Sequence, residues 1–217
     1  MGEALRELEV IRLGRVSYRD AHAFQQERLA KRIAGEVPDA LILLEHDEVV
    51  TQGRGEPLGA LERAALEARG VEIVEIERGG EATWHGPGQL VAYPILELVE
   101  GERDLHRYLR DLEQVVIDVL AGLGVQGRRE EGATGVWIGP KKVCSIGVAV
   151  RRWVTWHGVS LNVSNDLATF GAFHACGLEP GVMTRVADRV EVPADDPLLE
   201  QAFSAAFARR FGRRRVG

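Results

Sequence analysis

The sequence has no long apolar run and only two cysteines. No segment approaches the roughly 20 consecutive apolar residues that a membrane-spanning helix needs, and the first twelve residues mix charges where a signal peptide needs an apolar stretch. Two cysteines do not make a disulfide framework, and a reducing compartment keeps them as thiols. We therefore expect a cytoplasmic protein that neither crosses nor binds a membrane.

A surplus of positive charge is also missing. The formal net charge is −6, whereas a general nucleic-acid-binding protein carries basic residues in excess to meet phosphates. Basic clusters do occur, and the terminal one, from Arg209 to Arg215, is interpreted as a solvated surface. Zinc-ligand spacings such as CxxC or HExxH, the Walker loop and the dinucleotide fingerprint are absent. The sequence predicts no nucleic-acid partner, no metal and no cofactor.

The pattern of apolar residues predicts one α+β domain over residues 1–217. The strand-like runs are Leu8–Leu13, Ala40–Glu45, Val71–Ile76, Leu90–Ile95, Gly135–Ile138, Val143–Val150 and Trp153–Val163. Helices are expected from Ser17 to Gly35, over Leu61–Arg69, over Glu102–Leu123 and from Pro197 to Phe211. The last two strands lie close enough in sequence to form an antiparallel pair.

Residues 78–89 contain too many glycines for regular structure and lie between two predicted strands. An elaborate loop is expected there. Its glycines suit a backbone that runs close against a ligand, and the alternative is an ordinary long hairpin loop.

The two thiols have different surroundings. Cys176 precedes Gly177, whose flexibility would let backbone N–H groups approach a reacting carbonyl, although a free cysteine is more often buried and inert. Cys144 lies inside an apolar strand and is interpreted as packing. Local sequence alone is weak evidence for a catalytic Cys176.

A cysteine nucleophile needs a base or a cation nearby, because a free thiol is only a few per cent thiolate at neutral pH. Lys142 begins an apolar strand, where partial loss of hydration favours proton exchange. His85, His157 and His174 are rival bases. The sequence leaves open whether Lys142 acts as a base or as a cation.

Taken together, these segments resemble the lipoyl(octanoyl) transferase family, the octanoyltransferases of lipoate biosynthesis. The resemblance extends from about Leu8 to Thr184. The matching segments are Leu43-Leu44-Glu45-His46; Arg78-Gly79-Gly80 with Thr83, His85-Gly86-Pro87-Gly88-Gln89-Leu90 and Tyr93-Pro94; Lys142 with Ser145-Ile146-Gly147-Val148; and Thr155, His157-Gly158, Leu161-Asn162 and Cys176-Gly177-Leu178.

The resemblance implies a single mixed-sheet domain similar to the catalytic domain of biotin and lipoate protein ligases. It also implies an acyltransferase that works in two steps. Octanoyl passes from acyl carrier protein to the enzyme cysteine, and then to a lysine of a lipoyl domain of a 2-oxoacid dehydrogenase or of the glycine-cleavage H protein. A monomer is expected.

By matching position, the resemblance makes Cys176 the acyl-bearing nucleophile and Lys142 its acid/base partner. The implied substrate-binding residues are Arg78, Gly79, Gly80, Glu81, Ala82, Thr83, Trp84, His85, Ser145, Ile146, Gly147, Gly158, Val159 and Ser160. We further expect backbone N–H groups near Gly177 and Lys142 to form the oxyanion site.

The chain departs from the family pattern at two positions: Ala175 stands where proline is common, and Arg185 stands where serine is common. Neither departure removes a catalytic group, but both affect the loop around Cys176. Two other functions compete with acyl transfer. One is an ATP-dependent lipoate or biotin ligase of the same fold, and the other is a non-catalytic protein that binds an acyl carrier or lipoyl domain.

Overall fold

The computed structural model describes residues 5–179 and 181–216. Its elements follow the chain in the order β1 (Arg6–Val16), α1 (Tyr18–Ile33), β2 (Asp39–His46), β3 (Val49–Gln52), α2 (Ala60–Ala68), β4 (Glu72–Glu75), β5 (Ala82–His85), β6 (Gln89–Ile95), α3 (Leu105–Gly122), β7 (Arg128–Glu130), β8 (Ala133–Ile138), β9 (Lys141–Arg151), β10 (Val154–Asn162), α4 (Pro197–Arg210) and β11 (Arg213–Val216). None of the helices in these residues has the length and apolarity to cross a membrane.

Eight strands form a mixed sheet in the order β11-β1-β2-β6-β10-β9-β8-β7. Strands β11 and β2 both run parallel to β1, and the remaining pairs are antiparallel. The predicted pairing of the β9 and β10 segments is confirmed. A second sheet, in the order β4-β3-β5, has three strands and was not expected from the sequence.

The alternation of side chains along β2 explains how helices cover both faces of the large sheet. Leu41 and Leu43 belong to the core cluster under α3 and α4, whereas Ala40, Ile42 and Leu44 belong to the cluster under α1. Neighbouring side chains of a strand point to opposite faces, so a strand that is apolar throughout is buried on both sides. This three-layer arrangement confirms the predicted α+β class.

Most predicted elements are confirmed within a few residues. Helix α1 begins where the Ser17 and Asp20 spacing placed it, and the backbone N–H of Asp20 donates to Ser17 Oγ at 3.1 Å. The glycine-rich segment is a different case. The expectation of an irregular loop throughout residues 78–89 is wrong, because β5 lies within it and pairs with β3.

Candidate active site

Two glycines face each other at the centre of the large sheet. Gly147 of β9 pairs with Gly158 of β10. A Cβ atom at Gly158 would lie 2.3 Å from the carbonyl oxygen of Ala92, and one at Gly147 would lie 2.9 Å from Arg78 Cδ. No larger side chain fits at either position without displacing a neighbour. Gly147 allows the glycine-rich segment to lie directly against the sheet, and Gly158 allows the close approach of β6.

A cavity of about 420 Å³ opens where that segment meets the sheet. Its volume is within the roughly 300–1,000 Å³ typical of small-molecule sites. The lining residues expected from the sequence are Arg78, Gly79, Gly80, Glu81, Thr83, His85, Lys142, Ser145, Ile146, Gly147, Gly158, Val159, Ser160 and Cys176. The structure therefore gathers most of the expected site residues, from distant parts of the chain, around one space.

Ala82 and Trp84 are the exceptions. Both belong to β5, where alternation directs Thr83 and His85 to the cavity and the other two side chains to an apolar cluster. Trp84 is buried and donates its indole N–H to Glu48 Oε1 at 3.0 Å. The expectation that Ala82 and Trp84 line the site with their side chains is therefore corrected, because they help to anchor the strand that carries the lining residues.

Cys176 lies in a tight turn at the edge of the cavity. Its backbone is left-handed, with φ 55° and ψ 32°, a conformation that is uncommon for residues other than glycine and is found often at functional sites. Ala175 and Phe173, just before it, are buried in an apolar cluster that holds the turn in place. The thiol is partly exposed, and its Sγ atom lies 3.5 Å from Ser145 Oγ.

Lys142 is buried in the same cavity, with only 3% of its surface exposed. Its backbone N–H donates to the carbonyl of Val182 at 2.9 Å, and its carbonyl accepts from the N–H of Thr184 at 2.9 Å. The Nζ atom lies 5.1 Å from the centre of the Trp137 ring. These contacts fix the lysine at both its backbone and its tip.

Cys176 and Lys142 line the same cavity. The Cys176 sulfur makes its hydrogen-bonding contact with Ser145 rather than with Lys142. Catalytic contacts are often long in the absence of substrate and tighten when it binds. The direct partnership between Cys176 and Lys142 thus stays a prediction, now with both groups facing one space.

The amides of Lys142 and Gly177 themselves are not available as oxyanion donors, and the expectation of donors near them stays a prediction. The backbone N–H of Lys142 is already donated to Val182, and that of Gly177 is donated to the carbonyl of His174 at 3.1 Å. Because each amide already has an acceptor, neither is free to bind a substrate oxygen in this conformation.

Arg78 is a buried cation bound mainly by uncharged groups. Its Nη1 donates to the carbonyls of Gly79 and Glu81 at 3.1 and 2.7 Å, and its Nη2 donates to the carbonyl and hydroxyl of Thr51 at 2.7 and 2.9 Å. Burial lowers the pKa of Arg78, and the nearby Cys176 opposes this shift. Since a guanidinium stays protonated in proteins, Arg78 holds a fixed positive charge beside the thiol and shapes the glycine-rich turn.

His85, His157 and His174, the rival candidates for the base that activates Cys176, are weaker candidates in the structure than in the sequence. Burial lowers the pKa of His85 well below its ordinary value and that of His157 to about 3. Hydrogen bonding to Glu62 raises the pKa of the exposed His174, which does not line the cavity. A histidine with so low a pKa accepts a proton poorly at neutral pH, which leaves Lys142 as the better candidate.

Some lining residues were missed by sequence reasoning. Tyr18 of α1 and the segment 132–134 before and at the start of β8 reach the cavity. Tyr18 directly follows the helix cap and has no local sequence feature that marks it as functional. Only the packing of α1 against the sheet brings it to the site.

The chain resembles known proteins over most of its length. Residues 17–208 match the model of the lipoyl protein ligase A/B catalytic domain. An octanoyltransferase from Gloeobacter violaceus is 46% identical over 206 residues, which cover 94% of this chain and 90% of that relative. An octanoyltransferase from Geobacter sulfurreducens is 50% identical over 171 residues, which cover 79% of this chain and 71% of that relative.

Solved structures share the fold at low sequence identity. A lipoate-protein ligase A bound with ATP has a TM-score of 0.78 and 19% identity, over 97% of this chain and 90% of that chain. A biotin protein ligase from Aquifex aeolicus has a TM-score of 0.53 and 14% identity, over 94% of this chain and 68% of that chain. This likeness shows the fold alone, and it confirms the predicted similarity to the catalytic domains of both ligase types.

Proposed function

This chain belongs to the lipoyl protein ligase A/B catalytic domain family and is an octanoyltransferase like its curated relatives, and we propose that it transfers octanoyl through a thioester on Cys176. The observation that carries the proposal is the meeting of a partly exposed thiol and a buried lysine in one cavity.

In the first half-reaction, Lys142 takes the proton of the Cys176 thiol, and the sulfur attacks the carbonyl carbon of the octanoyl thioester on the carrier. The bond from that carbon to the carrier sulfur breaks, and the departing thiolate takes the proton back from Lys142. One thioester replaces another, so the step is close to isoenergetic and consumes no ATP.

In the second half-reaction, the amine of an acceptor lysine attacks the carbonyl carbon of the Cys176 thioester. Lys142 accepts a proton from that amine and returns it to the Cys176 sulfur as the carbon–sulfur bond breaks. The product is an amide, and its formation from a thioester is downhill. Arg78 keeps its fixed positive charge near Cys176 throughout both half-reactions.

Cys144 does not compete for the nucleophile role. It is 1% exposed within the main apolar cluster, and burial raises the pKa of its thiol. A protonated thiol without access to the cavity is a poor nucleophile. The structure therefore supports the interpretation of Cys144 as packing.

We infer that the acceptor is a lipoyl domain. A bi-partite lipoate protein ligase from Thermoplasma acidophilum, which acts with an E2 lipoyl domain, shares the fold with a TM-score of 0.74 at 17% identity, over 99% of this chain and 88% of that chain. We further propose octanoyl-acyl carrier protein as the donor and the glycine-cleavage H protein as another acceptor. We propose a monomer that works in the cytoplasm, where a catalytic thiol stays reduced.

The test combines acyl transfer with intact mass spectrometry. The purified chain is incubated with octanoyl-acyl carrier protein, without ATP, before a lipoyl domain is added. We expect one octanoyl adduct that is lost when the acceptor is added. Cys176→Ser should give no thioester adduct, and Cys144→Ser, the matched control, should give the wild-type result.

Acylated acceptor that appears only with ATP and free octanoic acid would instead identify a ligase. An adduct that persists in Cys176→Ser as a hydroxylamine-labile thioester would contradict the role of Cys176. If neither adduct nor product forms, while the lipoyl domain still binds, the protein is a binding module.

A further inference from the structure

Three potential metal ligands from separate elements meet beside the catalytic cavity. His22 lies on α1, Glu77 follows β4, and His157 lies on β10. One ligand atom from each lies within 4.8 Å of the others. His22 Nε2 is 3.1 Å and His157 Nε2 is 3.9 Å from Glu77 Oε2. None of these three side chains has a part in the proposed acyl transfer.

His157 is the least conventional member of the cluster. Its φ is 56°, a left-handed value inside a strand, and its backbone N–H donates to Gln25 Oε1 at 2.9 Å. Both ring nitrogens are buried and have no hydrogen-bond partner in the described residues. Buried polar atoms nearly always have partners, and strained residues often occur in ligand sites. The ring thus has two unused nitrogens at a strained position.

The ligand set has a definite chemical preference. Two imidazoles and one carboxylate suit zinc and similar divalent transition metals, and this set with one open position occurs in catalytic zinc sites. Zinc–ligand bonds of roughly 2.0–2.1 Å at tetrahedral angles separate the ligand atoms by about 3.4 Å. Two of the separations here, 3.1 and 3.9 Å, bracket that value.

Two of the three proposed ligands are reachable from solvent and have space to change their rotamers. The side chains of His22 and Glu77 are 21% and 40% exposed, so they can rotate and a cation can enter from solvent. Glu77 is the anionic member of the set, which suits a divalent cation.

We propose that His22, Glu77 and His157 form a three-ligand site for a divalent transition cation of the zinc type, with a fourth position open to solvent. Because His157 lines the catalytic cavity, the cation lies at the wall of that cavity. The site is separate from the thiol chemistry and does not depend on the proposed acyl transfer.

The test measures metal binding by the full chain, purified without a histidine tag and stripped with a chelator. Titration calorimetry with Zn²⁺, repeated with Co²⁺ to record its visible absorption, should show one equivalent bound to the wild type. His22→Ala and Glu77→Gln should each weaken binding at least roughly tenfold, because even loss of a supporting contact has an effect of that size.

His106→Ala is the matched control, since His106 is an exposed histidine on α3, and it should bind like the wild type. Circular dichroism verifies that the two partly exposed positions tolerate substitution. Wild type that binds no zinc would overturn the proposal, as would equal affinity in His22→Ala and Glu77→Gln. Binding that is lost in Cys176→Ser but kept in His22→Ala would place the ion on the catalytic thiol, which also overturns it.

Discussion

Lys142 is held in the cavity by the neighbouring strand β8 and by residues 182–184, which run beside it. Its backbone bonds to Val182 and Thr184, and its amine lies over the face of Trp137. Gly135 of β8 completes the arrangement, because a Cβ atom there would lie 2.7 Å from Lys142 Cε. The Lys142 side chain can occupy this position because Gly135 has no side chain of its own.

Lys142→Ala and Lys142→Arg should each reduce kcat for octanoyl transfer by at least about 10²-fold, because general acid–base groups contribute roughly 10²–10⁴-fold and arginine cannot release its proton. Steady-state rates with carrier substrate and lipoyl domain test this. Lys141→Arg, at the exposed preceding residue, should behave as wild type. Near-normal turnover in Lys142→Arg would mean that the residue acts only through its charge.

Gly135→Ala should lower kcat at least roughly tenfold by displacing the Lys142 side chain, since small misplacements of catalytic groups have large effects. Its φ of 137° adds backbone strain, so stability should fall too. Gly139→Ala separates the two effects, because Gly139 also has a positive φ, 57°, but no atoms within 4 Å of a new Cβ. We expect Gly139→Ala to lower Tm while kcat is kept. An equal loss of kcat in both variants would contradict the displacement.

At the scale of elements, the strands missed by sequence reasoning are short and depend on distant partners. Strand β3 is only four residues long and pairs with β4 and β5, and β11 pairs with β1 from the other end of the chain. Short strands have little pattern of their own, and their pairing decides whether they form. Strand β5, inside the glycine-rich segment, was missed for the same reason: it has four residues and forms by pairing with β3.

The basic C-terminal stretch, interpreted as solvated, in fact contains a buried residue. Arg213 of β11 is 5% exposed, and its guanidinium lies 2.8 Å from Asp39 Oδ2 and 2.8 Å from Glu102 Oε1. Asp39 is 1% exposed at the start of β2. This ion pair joins the edge strand β11 to β2, two strands away in the sheet, and a charge count along the sequence could not reveal it.

Arg213→Met should lower the free energy of unfolding by about 1.5–3 kcal/mol, because the buried Asp39 carboxylate loses one of its two arginine partners and keeps Arg32 at 2.8 Å. Urea denaturation gives the value. Arg214→Met is the matched control: it removes an exposed ion pair with Glu7 and should change stability by no more than about 1 kcal/mol. Similar effects of the two substitutions would show that the burial of Arg213 is unimportant.

At the scale of the whole molecule, buried neutral histidines couple folding to pH. Burial lowers the pKa of His46 to about 4 and that of His157 to about 3, and it lowers that of His85 well below 6.5. In the unfolded chain these rings titrate near 6.5, so between that pH and their folded values the unfolded state binds more protons. Their contribution to stability is complete above pH 6.5 and is lost as the pH falls toward 4 and 3.

The free energy of unfolding should therefore fall between pH 6.5 and 4 by roughly 1.4 kcal/mol per pH unit for each of these histidines. Denaturant titrations at a series of pH values measure the slope. His46→Gln should reduce the slope by about one histidine's share, whatever its effect on stability at pH 7. A slope that is the same in wild type and His46→Gln would contradict the assignment to His46.

The sequence by itself determined the fold class and most helix boundaries, and it led to the prediction of Cys176 as nucleophile with Lys142 as its partner. Repeating apolar patterns fixed the helices, as in α3 and α4, because the period of a helix is a local property. Cys176 and Lys142 were found through the resemblance of ordered segments, since neither is conspicuous in its own surroundings.

Only the tertiary structure decided which neighbours these residues meet. Packing places Ala82 and Trp84 in an apolar cluster and engages the amides of Lys142 and Gly177 in other hydrogen bonds. It also buries Arg213 and brings His22, Glu77 and His157 together. Each outcome depends on contacts between segments far apart in the chain. Burial and orientation arise from packing, which no local pattern of residues specifies.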